Sequence, residues 1–265
     1  MKRILILLFP IAALGLLSCQ EDAERTIRTD LTQEANQFLT ISEAWGESLF
    51  FAMISFNSYQ NIESDTLPGC PEISVNSTEG TVTLNFNSGC EEGESVRSGK
   101  LILQFPLSGS NQTTWSLAYE GYSYRDWEME GTRSFTFTSL RNVREEFDGL
   151  SITTSNELNS TLSGGFNHQQ VLNSFSLSEI VSRGSMQGLN PAGRSIKMSL
   201  QADRIADYTC FLSGKSRLAD SAAELWEVTR GNENLRHSLT YTPLDSCQTQ
   251  VDALLPDGRT LQLRP

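Results

Sequence analysis

Near the beginning of the chain, apolar residues recur at intervals of three or four positions. They are Leu31, Ala35, Phe38, Ile41, Trp45, Leu49 and Met53. This spacing predicts one long amphipathic helix, because residues three and four apart lie on the same face. Asp30 and Gln33 resemble a capping box, which marks the start of the helix. Gly46 indicates a kink or a break, since glycine costs about 1 kcal/mol relative to alanine within a helix.

From Ser64 onward, apolar and polar residues alternate one by one. The clearest apolar sets are Val82, Leu84 and Phe86; Leu101, Leu103 and Phe105; and Trp115, Leu117 and Tyr119. Alternation of this kind predicts half-buried strands, and the short turn-like segments between them favour antiparallel pairing. We therefore predict a mainly β fold: a curved antiparallel meander, a sandwich or an open barrel, with the long N-terminal amphipathic helix packed on it.

The first residues of the chain form a separate pattern. Lys2 and Arg3 precede a short apolar run over residues 4–17, and Cys19 follows where the run stops. A positive start and a short apolar core predict an export signal. Residues 16–19, Leu-Leu-Ser-Cys, resemble the bacterial lipobox, which implies that Cys19 is lipidated and that cleavage occurs just before it. A plain secretory signal that contains a cysteine is the alternative.

These features divide the chain into three parts. We predict a lipoprotein signal peptide over 1–18, a lipid-anchored tether over 19–29 and a helix plus antiparallel β domain over 30–265. A division of that domain into two sub-sheets near 140–165 is the alternative. Lipid on Cys19 holds the protein to a membrane, because each buried methylene contributes about 0.8 kcal/mol.

The residues after Cys19 bear on which face of the membrane the protein occupies. Residues 20–24, Gln-Glu-Asp-Ala-Glu, resemble the acidic signal that directs lipoproteins of the Bacteroidota to the cell surface. The resemblance implies a lipid-anchored, surface-exposed protein of the outer membrane. If these charges merely keep the tether solvated, the periplasmic face is the alternative.

The charge of the chain limits its partners. The 265 residues include 20 Lys and Arg against 32 Asp and Glu, a net charge of −12. Residues 1–19 hold two of the basic residues and none of the acidic ones, so the remainder has a net charge of −14. Such a charge repels phosphates, which disfavours nucleic acid. The expected partners are the membrane, through the lipid on Cys19, and a glycan, an apolar ligand or an envelope protein.

Four cysteines remain after Cys19: Cys70, Cys90, Cys210 and Cys247. An even number in an exported chain indicates disulfides. Three pairings exist, and we favour Cys70 with Cys90 and Cys210 with Cys247, because each pair brackets strands that are close in sequence. A zinc site is the alternative, although the chain has no Cys-x-x-Cys pair. We expect no metal and no cofactor.

Three carboxylates alternate within one short segment. Asp126, Glu128 and Glu130 would share one face of a strand, with Trp127 on the other face. Such a face would suit Ca²⁺, which prefers oxygen ligands, or would place two acids for glycoside cleavage. No EF-hand spacing accompanies them, so a solvated outer face is the favoured interpretation.

Aromatic residues crowd into the same region. They are Trp115, Tyr119, Tyr122, Tyr124 and Trp127. They would suit a sugar-stacking surface or a pocket wall, and they would equally fill the core of a sheet. A contiguous exposed aromatic patch would favour the binding surface over the core.

The sequence offers little support for nucleophilic catalysis. There is no Gly-x-Ser-x-Gly motif, and His168 and His237 are the two imidazoles of the chain. We expect both histidines at the surface, His168 in a turn-like polar stretch. A catalytic role for either is disfavoured.

Two short segments resemble the O-glycosylation acceptor of the Bacteroidota, in which Asp precedes the acceptor hydroxyl. They are Asp65-Thr66-Leu67 and Asp220-Ser221-Ala222. Thr66 and Ser221 are therefore candidate acceptors. About one such match is expected by chance in a chain of this kind.

The order of motifs over residues 1–140 resembles a group of Bacteroidota lipoproteins without an assigned activity. The shared motifs are the lipobox, the helix, Cys70-Pro71, the strand pair that closes on Gly89-Cys90, the strand at Gly99-Lys100, and Glu-Gly-Thr-Arg at 130–133. The resemblance implies an exported, mostly antiparallel β lipoprotein and brings no catalytic residues with it.

We predict a lipid-anchored lipoprotein of the cell envelope with a non-catalytic binding or structural role. One alternative is a carrier that holds a lipid or another apolar ligand in a half-barrel pocket. Another is a carbohydrate-active enzyme that uses the acids near Trp127. A packed interior would argue against the carrier, and acids that point outward into solvent would argue against the enzyme.

Overall fold

The computed structural model describes residues 30–87, 96–107, 109–174, 176–213, 219–244 and 247–263. Two consecutive helices come first, α1 (Leu31–Glu47) and α2 (Leu49–Met53). The Asp30 side chain accepts a hydrogen bond from the backbone N–H of Thr32 at 2.9 Å, as an N-terminal cap does. The predicted helix is interrupted at Ser48, soon after Gly46. Short helices follow at α3 (Phe56–Tyr59), a 3₁₀ turn (Ser64–Thr66) and α4 (Tyr208–Leu212).

Fourteen antiparallel strands form one sheet within these ranges. They are β1 (Glu72–Asn76), β2 (Thr81–Asn85), β3 (Arg97–Gln104), β4 (Thr114–Tyr124), β5 (Trp127–Glu130), β6 (Thr132–Ser139), β7 (Asn142–Thr154), β8 (Asn159–Asn173), β9 (Ser176–Leu189), β10 (Ser195–Asp207), β11 (Ser221–Arg230), β12 (Glu233–Pro243), β13 (Thr249–Leu254) and β14 (Thr260–Leu263). Burial alternates along them, as the period of two requires. The predicted fold class, mainly β with an N-terminal helix, is confirmed.

Strands that follow each other in sequence are mostly neighbours in the sheet, as short connections require. β5 and β6 share one position, because both lie between β4 and β7. Among the described strands, β1 and β14 each pair with one neighbour, so the sheet is open. It continues through residues 140–165, where β7 and β8 pair from Asn142 opposite Gln169 to Thr153 opposite Asn159.

The sheet curves around α1. The ring of Phe38 lies 5.2 Å from that of His237 in β12, while Glu47 accepts a hydrogen bond from Arg97 in β3. Phe38 and Glu47 are about 14 Å apart along a helix axis. In a flat sheet β3 and β12 would be about 38 Å apart, so only a curved sheet brings both to one short helix. All residues from 41 to 54 are buried, and the helical segment therefore fills the inside of the curve.

One predicted disulfide is present. Cys210 of α4 is bonded to Cys247, and their Cα atoms are 5.4 Å apart, which confirms this pairing. Cys90 lies outside the described residues, so the pairing of Cys70 with Cys90 stays a prediction. The signal peptide, the tether and Cys19 also lie outside the described residues. Within the described ranges, no helix combines the length and the apolar character needed to cross a membrane.

Candidate functional site

Five glutamates are buried between the helix and the sheet in the described part of the chain. Three belong to α1 and two to strands: Glu34, Glu43, Glu47, Glu145 and Glu224. A buried carboxylate is costly unless a cation or hydrogen-bond donors compensate it. The partners of each glutamate therefore show which of them is left to bind something else.

Arginines pair with Glu34 and Glu47, near the two ends of α1. Nη2 of Arg230 donates to both carboxylate oxygens of Glu34, at 2.9 and 2.8 Å. Nε of Arg97 donates to one oxygen of Glu47 at 2.6 Å, and the Tyr122 hydroxyl donates to the other at 2.6 Å. Such charge-assisted bonds are stronger than neutral ones, so the two pairs fix both ends of α1 to the sheet.

Glu145 of β7 is the centre of a fully buried network. Nε of Arg133 donates to one of its oxygens at 2.6 Å, and Nε2 of His168 bonds to the other at 2.8 Å. Burial alone would raise the pKa of Glu145, but the Arg133 guanidinium and the His168 hydrogen bond lower it to about 2. Burial lowers the pKa of His168, which fits a neutral imidazole that accepts at Nδ1 from the Ser182 hydroxyl, 2.9 Å away.

Ser182, His168 and Glu145 form a hydroxyl–imidazole–carboxylate chain like that of some hydrolases. None of the three exposes more than 1% of its surface. Because a substrate cannot reach a nucleophile in that position, the chain supports the core and gives no reason to assign hydrolysis.

The histidines are not at the surface, contrary to the sequence-based expectation. His168 lies in β8 and His237 in β12, and both are buried. Alternate residues of β12, including Leu235 and Leu239, face the same side as His237, so the period of two continues through the imidazole. Glu145 bonds to His168 and compensates its burial. Glu34 lies 3.4 Å from Nε2 of His237, whose ring nitrogens have no hydrogen-bond partner among the described residues.

Glu224 of β11 is compensated in a different way. It accepts hydrogen bonds from the Ser42 hydroxyl at 2.5 Å and from Nε1 of Trp226 at 2.9 Å. Burial raises the pKa of Glu224, while these bonds and the positive charge of Arg204 oppose the rise. The Arg204 guanidinium lies 4.9 Å from the Trp45 ring, a cation–π distance.

Glu43 differs from the other four. It exposes only 7% of its surface, and its Oε1 atom has no hydrogen-bond partner in the described part of the chain. No ion pair within the described ranges includes Glu43. Burial raises the pKa of Glu43 to about 7; the Arg125 charge lowers it and the Glu47 charge raises it further. Glu43 is therefore a buried acid that changes its charge near neutral pH.

Glu43 lines a cleft of about 480 Å³ at one end of the sheet. One wall is the outer side of α1, and the opposite wall consists of the β4–β5, β7–β8 and β9–β10 turns. Backbone hydrogen bonds hold these turns in place: Ser155 N–H donates to the carbonyl of Asp126 at 2.6 Å. The Asn190 side chain accepts from the N–H groups of Ala192 and Arg194 at 3.1 and 2.9 Å. The cleft therefore has preformed walls.

The lining combines amide side chains with apolar surface. The amides come from Gln33, Asn36, Gln37, Asn156 and Asn190, and the apolar surface from Leu39, Trp127, Leu158, Pro191 and Ala192. Amides both donate and accept hydrogen bonds. A ligand with many hydroxyl groups and C–H faces matches such a lining, because each part of it meets a suitable group.

The five aromatic residues singled out in the sequence belong to the core. Trp115, Tyr122, Tyr124 and Trp127 are buried, and Tyr119 is half-buried. Nε1 of Trp115 donates to the carbonyl of Ala52 at 2.8 Å, and the Tyr122 hydroxyl bonds to Glu47. They do not form an exposed stacking surface, and Trp127 contributes one edge to the cleft.

The structure places the three alternating carboxylates in two different environments. Glu128 and Glu130 are exposed on the outer face of β5, while Trp127 and Met129 point inward. Asp126 lies in the β4–β5 turn and lines the cleft with Glu43. The described residues contain no group of three or more His, Cys, Asp or Glu that would hold a metal ion.

The two candidate glycosylation acceptors lie at different depths. Thr66 is exposed in the 3₁₀ turn, and its hydroxyl donates to the carbonyl of Glu63 at 2.6 Å. Ser221 is half-buried at the start of β11. Thr66 is therefore the more accessible hydroxyl of the two.

The sequence pattern did not indicate that Glu43 is buried or that it belongs to a site. On a helical projection it lies far from the stripe of Phe38 and Trp45, on the polar face of α1. An amphipathic pattern predicts that such a face is exposed to solvent.

Comparisons with protein-family models, curated proteins and solved structures give no match to the chain.

Proposed function

We propose that this chain is a lipid-anchored lipoprotein of the cell envelope that binds a polyhydroxylated ligand, such as a glycan, in the cleft beside Glu43. The role is non-catalytic binding. The lipid on Cys19 holds the protein to the outer membrane, facing outward, and the cleft takes the ligand.

The observation that carries the binding role is the position of Glu43. It is a buried carboxylate that forms no ion pair with any residue the structure describes, and it lines a cleft of about 480 Å³. A native protein that leaves a buried polar group unsatisfied loses stability, so such a group calls for an explanation. A ligand with hydrogen-bond donors would supply the absent partner.

The lipobox resemblance of residues 16–19 and the acidic residues 20–24 support the anchor and the membrane face. The net charge of −14 on residues 20–265 supports a ligand other than nucleic acid.

The carrier alternative receives less support. Residues 41–54 are buried and fill the inside of the curved sheet, where a lipid chain would have to lie. The cleft carries amide and charged side chains, which a purely apolar ligand would leave without partners.

A glycan microarray probed with the full-length lipidated chain tests the proposal. Asn36→Trp places a large side chain in the cleft from an exposed position of α1. Asn57→Trp is the matched control, because Asn57 is an exposed asparagine of α3. We expect the wild type and Asn57→Trp to retain one set of glycans and Asn36→Trp to lose it. Failure of the wild type to retain any glycan, or equal retention by all three proteins, would refute the proposal.

A further inference from the structure

Three of the five buried glutamates form an ion pair with an arginine. Glu34 pairs with Arg230, Glu47 with Arg97 and Glu145 with Arg133, at 2.6 to 2.8 Å. Glu224 accepts hydrogen bonds from the Ser42 hydroxyl and from Nε1 of Trp226. Each of these four carboxylates therefore has a close partner, either an arginine or two hydrogen-bond donors.

Glu43 is the exception to this pattern, and it lines the cleft. The other two charged residues of α1 are Glu34 and Glu47, and both already pair with an arginine. Across the cleft lie Arg125, Asp126 and Arg194. Arg125 and Asp126 are exposed, so water screens their charges far more than it screens the charge of Glu43.

We propose that the cleft takes an amine-bearing polyhydroxylated ligand, of the amino-sugar class, whose ammonium group pairs with Glu43. This inference rests on the proposed function and adds the chemical class of the ligand. The ammonium group takes the role that an arginine has beside Glu34, Glu47 and Glu145.

A metal ion fits the site less well than an organic cation. Ca²⁺ takes about six to eight oxygen ligands, and Mg²⁺ requires near-octahedral geometry. Among the described residues, none of the acids forms a group of three that would hold such an ion. An ammonium group needs fewer acceptors, and the amides of Gln37 and Asn36 also line the cleft, where their oxygens can accept hydrogen bonds from the rest of the ligand.

The test compares 6-amino-6-deoxyglucose with glucose by calorimetry on the full-length lipidated protein, at about pH 8. The two probes differ in one group, so the difference in their affinities reports the ammonium group. We expect the amino sugar to bind at least about tenfold more tightly, as a charged hydrogen bond predicts. Glu43→Gln should abolish this difference, and Glu130→Gln, which neutralises an exposed carboxylate of β5, should preserve it.

A second measurement uses the wild type alone and so does not depend on the folding of a variant. The carboxyl ¹³C shift of Glu43 is followed against pH with each sugar. Pairing with an ammonium group should move the titration midpoint of Glu43 to lower pH, and glucose should move it less. Equal affinity for both sugars with an unmoved midpoint would overturn this inference and leave the proposed function standing. If neither sugar binds, both this inference and the proposed function are overturned.

Discussion

Gly46 lies against the guanidinium of Arg204, so closely that a Cβ atom at position 46 would collide with Nη2. Arg204 is fully buried in β10 and reaches α1 over the Trp45 ring. The glycine that weakens the helix by its low propensity is thus also the residue that makes room for a buried cation.

We expect Gly46→Ala to destabilise the protein by about 2 to 4 kcal/mol, because the methyl group displaces a buried charge from its surroundings. Urea unfolding followed by circular dichroism measures the change. Gly165→Ala is the control, since the nearest atom to its Cβ would be the Glu145 carbonyl oxygen at 3.5 Å, an ordinary contact. If Gly46→Ala lowers the free energy of unfolding no more than Gly165→Ala does, the space around Arg204 is not limiting.

Neutralising one partner of the Arg133–Glu145 pair should strongly destabilise the protein. Glu145→Gln leaves the Arg133 guanidinium buried without its carboxylate, which costs about 3 to 5 kcal/mol. The exposed pair Arg144–Glu146 provides the control, and Glu146→Gln should change stability by less than about 1 kcal/mol. Chemical unfolding at neutral pH gives both values.

The same carboxylate predicts sensitivity to acid. The pKa of Glu145 is about 2 in the folded protein against 4.5 ordinarily, so its stabilising contribution is present above about pH 4.5. That contribution is lost as the pH falls from 4.5 towards 2. The difference in unfolding free energy between the wild type and Glu145→Gln should therefore shrink over this range. If this difference in unfolding free energy does not change with pH, Glu145 is not held in its charged form by Arg133 and His168.

Glu43 predicts the opposite dependence on pH. Its folded pKa of about 7 exceeds the ordinary 4.5, so the unfolded chain releases the proton first and stability falls as the pH rises through this window. The loss reaches about 3 kcal/mol above pH 7. Glu43→Gln should remove this slope and be more stable than the wild type at about pH 8. Glu130→Gln should retain the slope, because its side chain is exposed.

The anchor is tested in cells that carry the chain. Cys19→Ala removes the thiol that lipid would occupy, so the protein should move from the membrane fraction to the soluble fraction. For the wild type, protease treatment of intact cells should remove the protein if it faces outward. Survival of the wild-type protein with intact membranes would place it on the periplasmic face, and membrane retention of Cys19→Ala would refute the lipid anchor.

Much of the fold was accessible from local patterns. The alternation that includes Val82 and Leu84 predicted the strands, and Asp30 marked the start of α1. The pairing of Cys210 with Cys247 was also predicted correctly, because the two residues bracket nearby strands. Such features depend on neighbours in sequence, and the sequence therefore contains them.

The candidate site was not accessible in this way. Glu43 and Glu47 lie on the polar face of α1, and His168 lies in a polar stretch, yet all three are buried. The burial of Glu47 and His168 depends on residues of distant strands, Arg97 for Glu47 and Glu145 for His168. No local period reports which distant residues will meet.

The sequence by itself determined the elements, the antiparallel pairing and the resemblance of the first residues to a lipid-anchored leader. The tertiary structure alone decided how far the predicted curve continues around α1, so that residues 41–47 are buried on every side of the helix. The physical reason is that periodicity records the polarity of each side of one element. Curvature, in contrast, results from the packing of many strands on one helix, and it leaves Glu43 as a buried acid at the edge of a cleft.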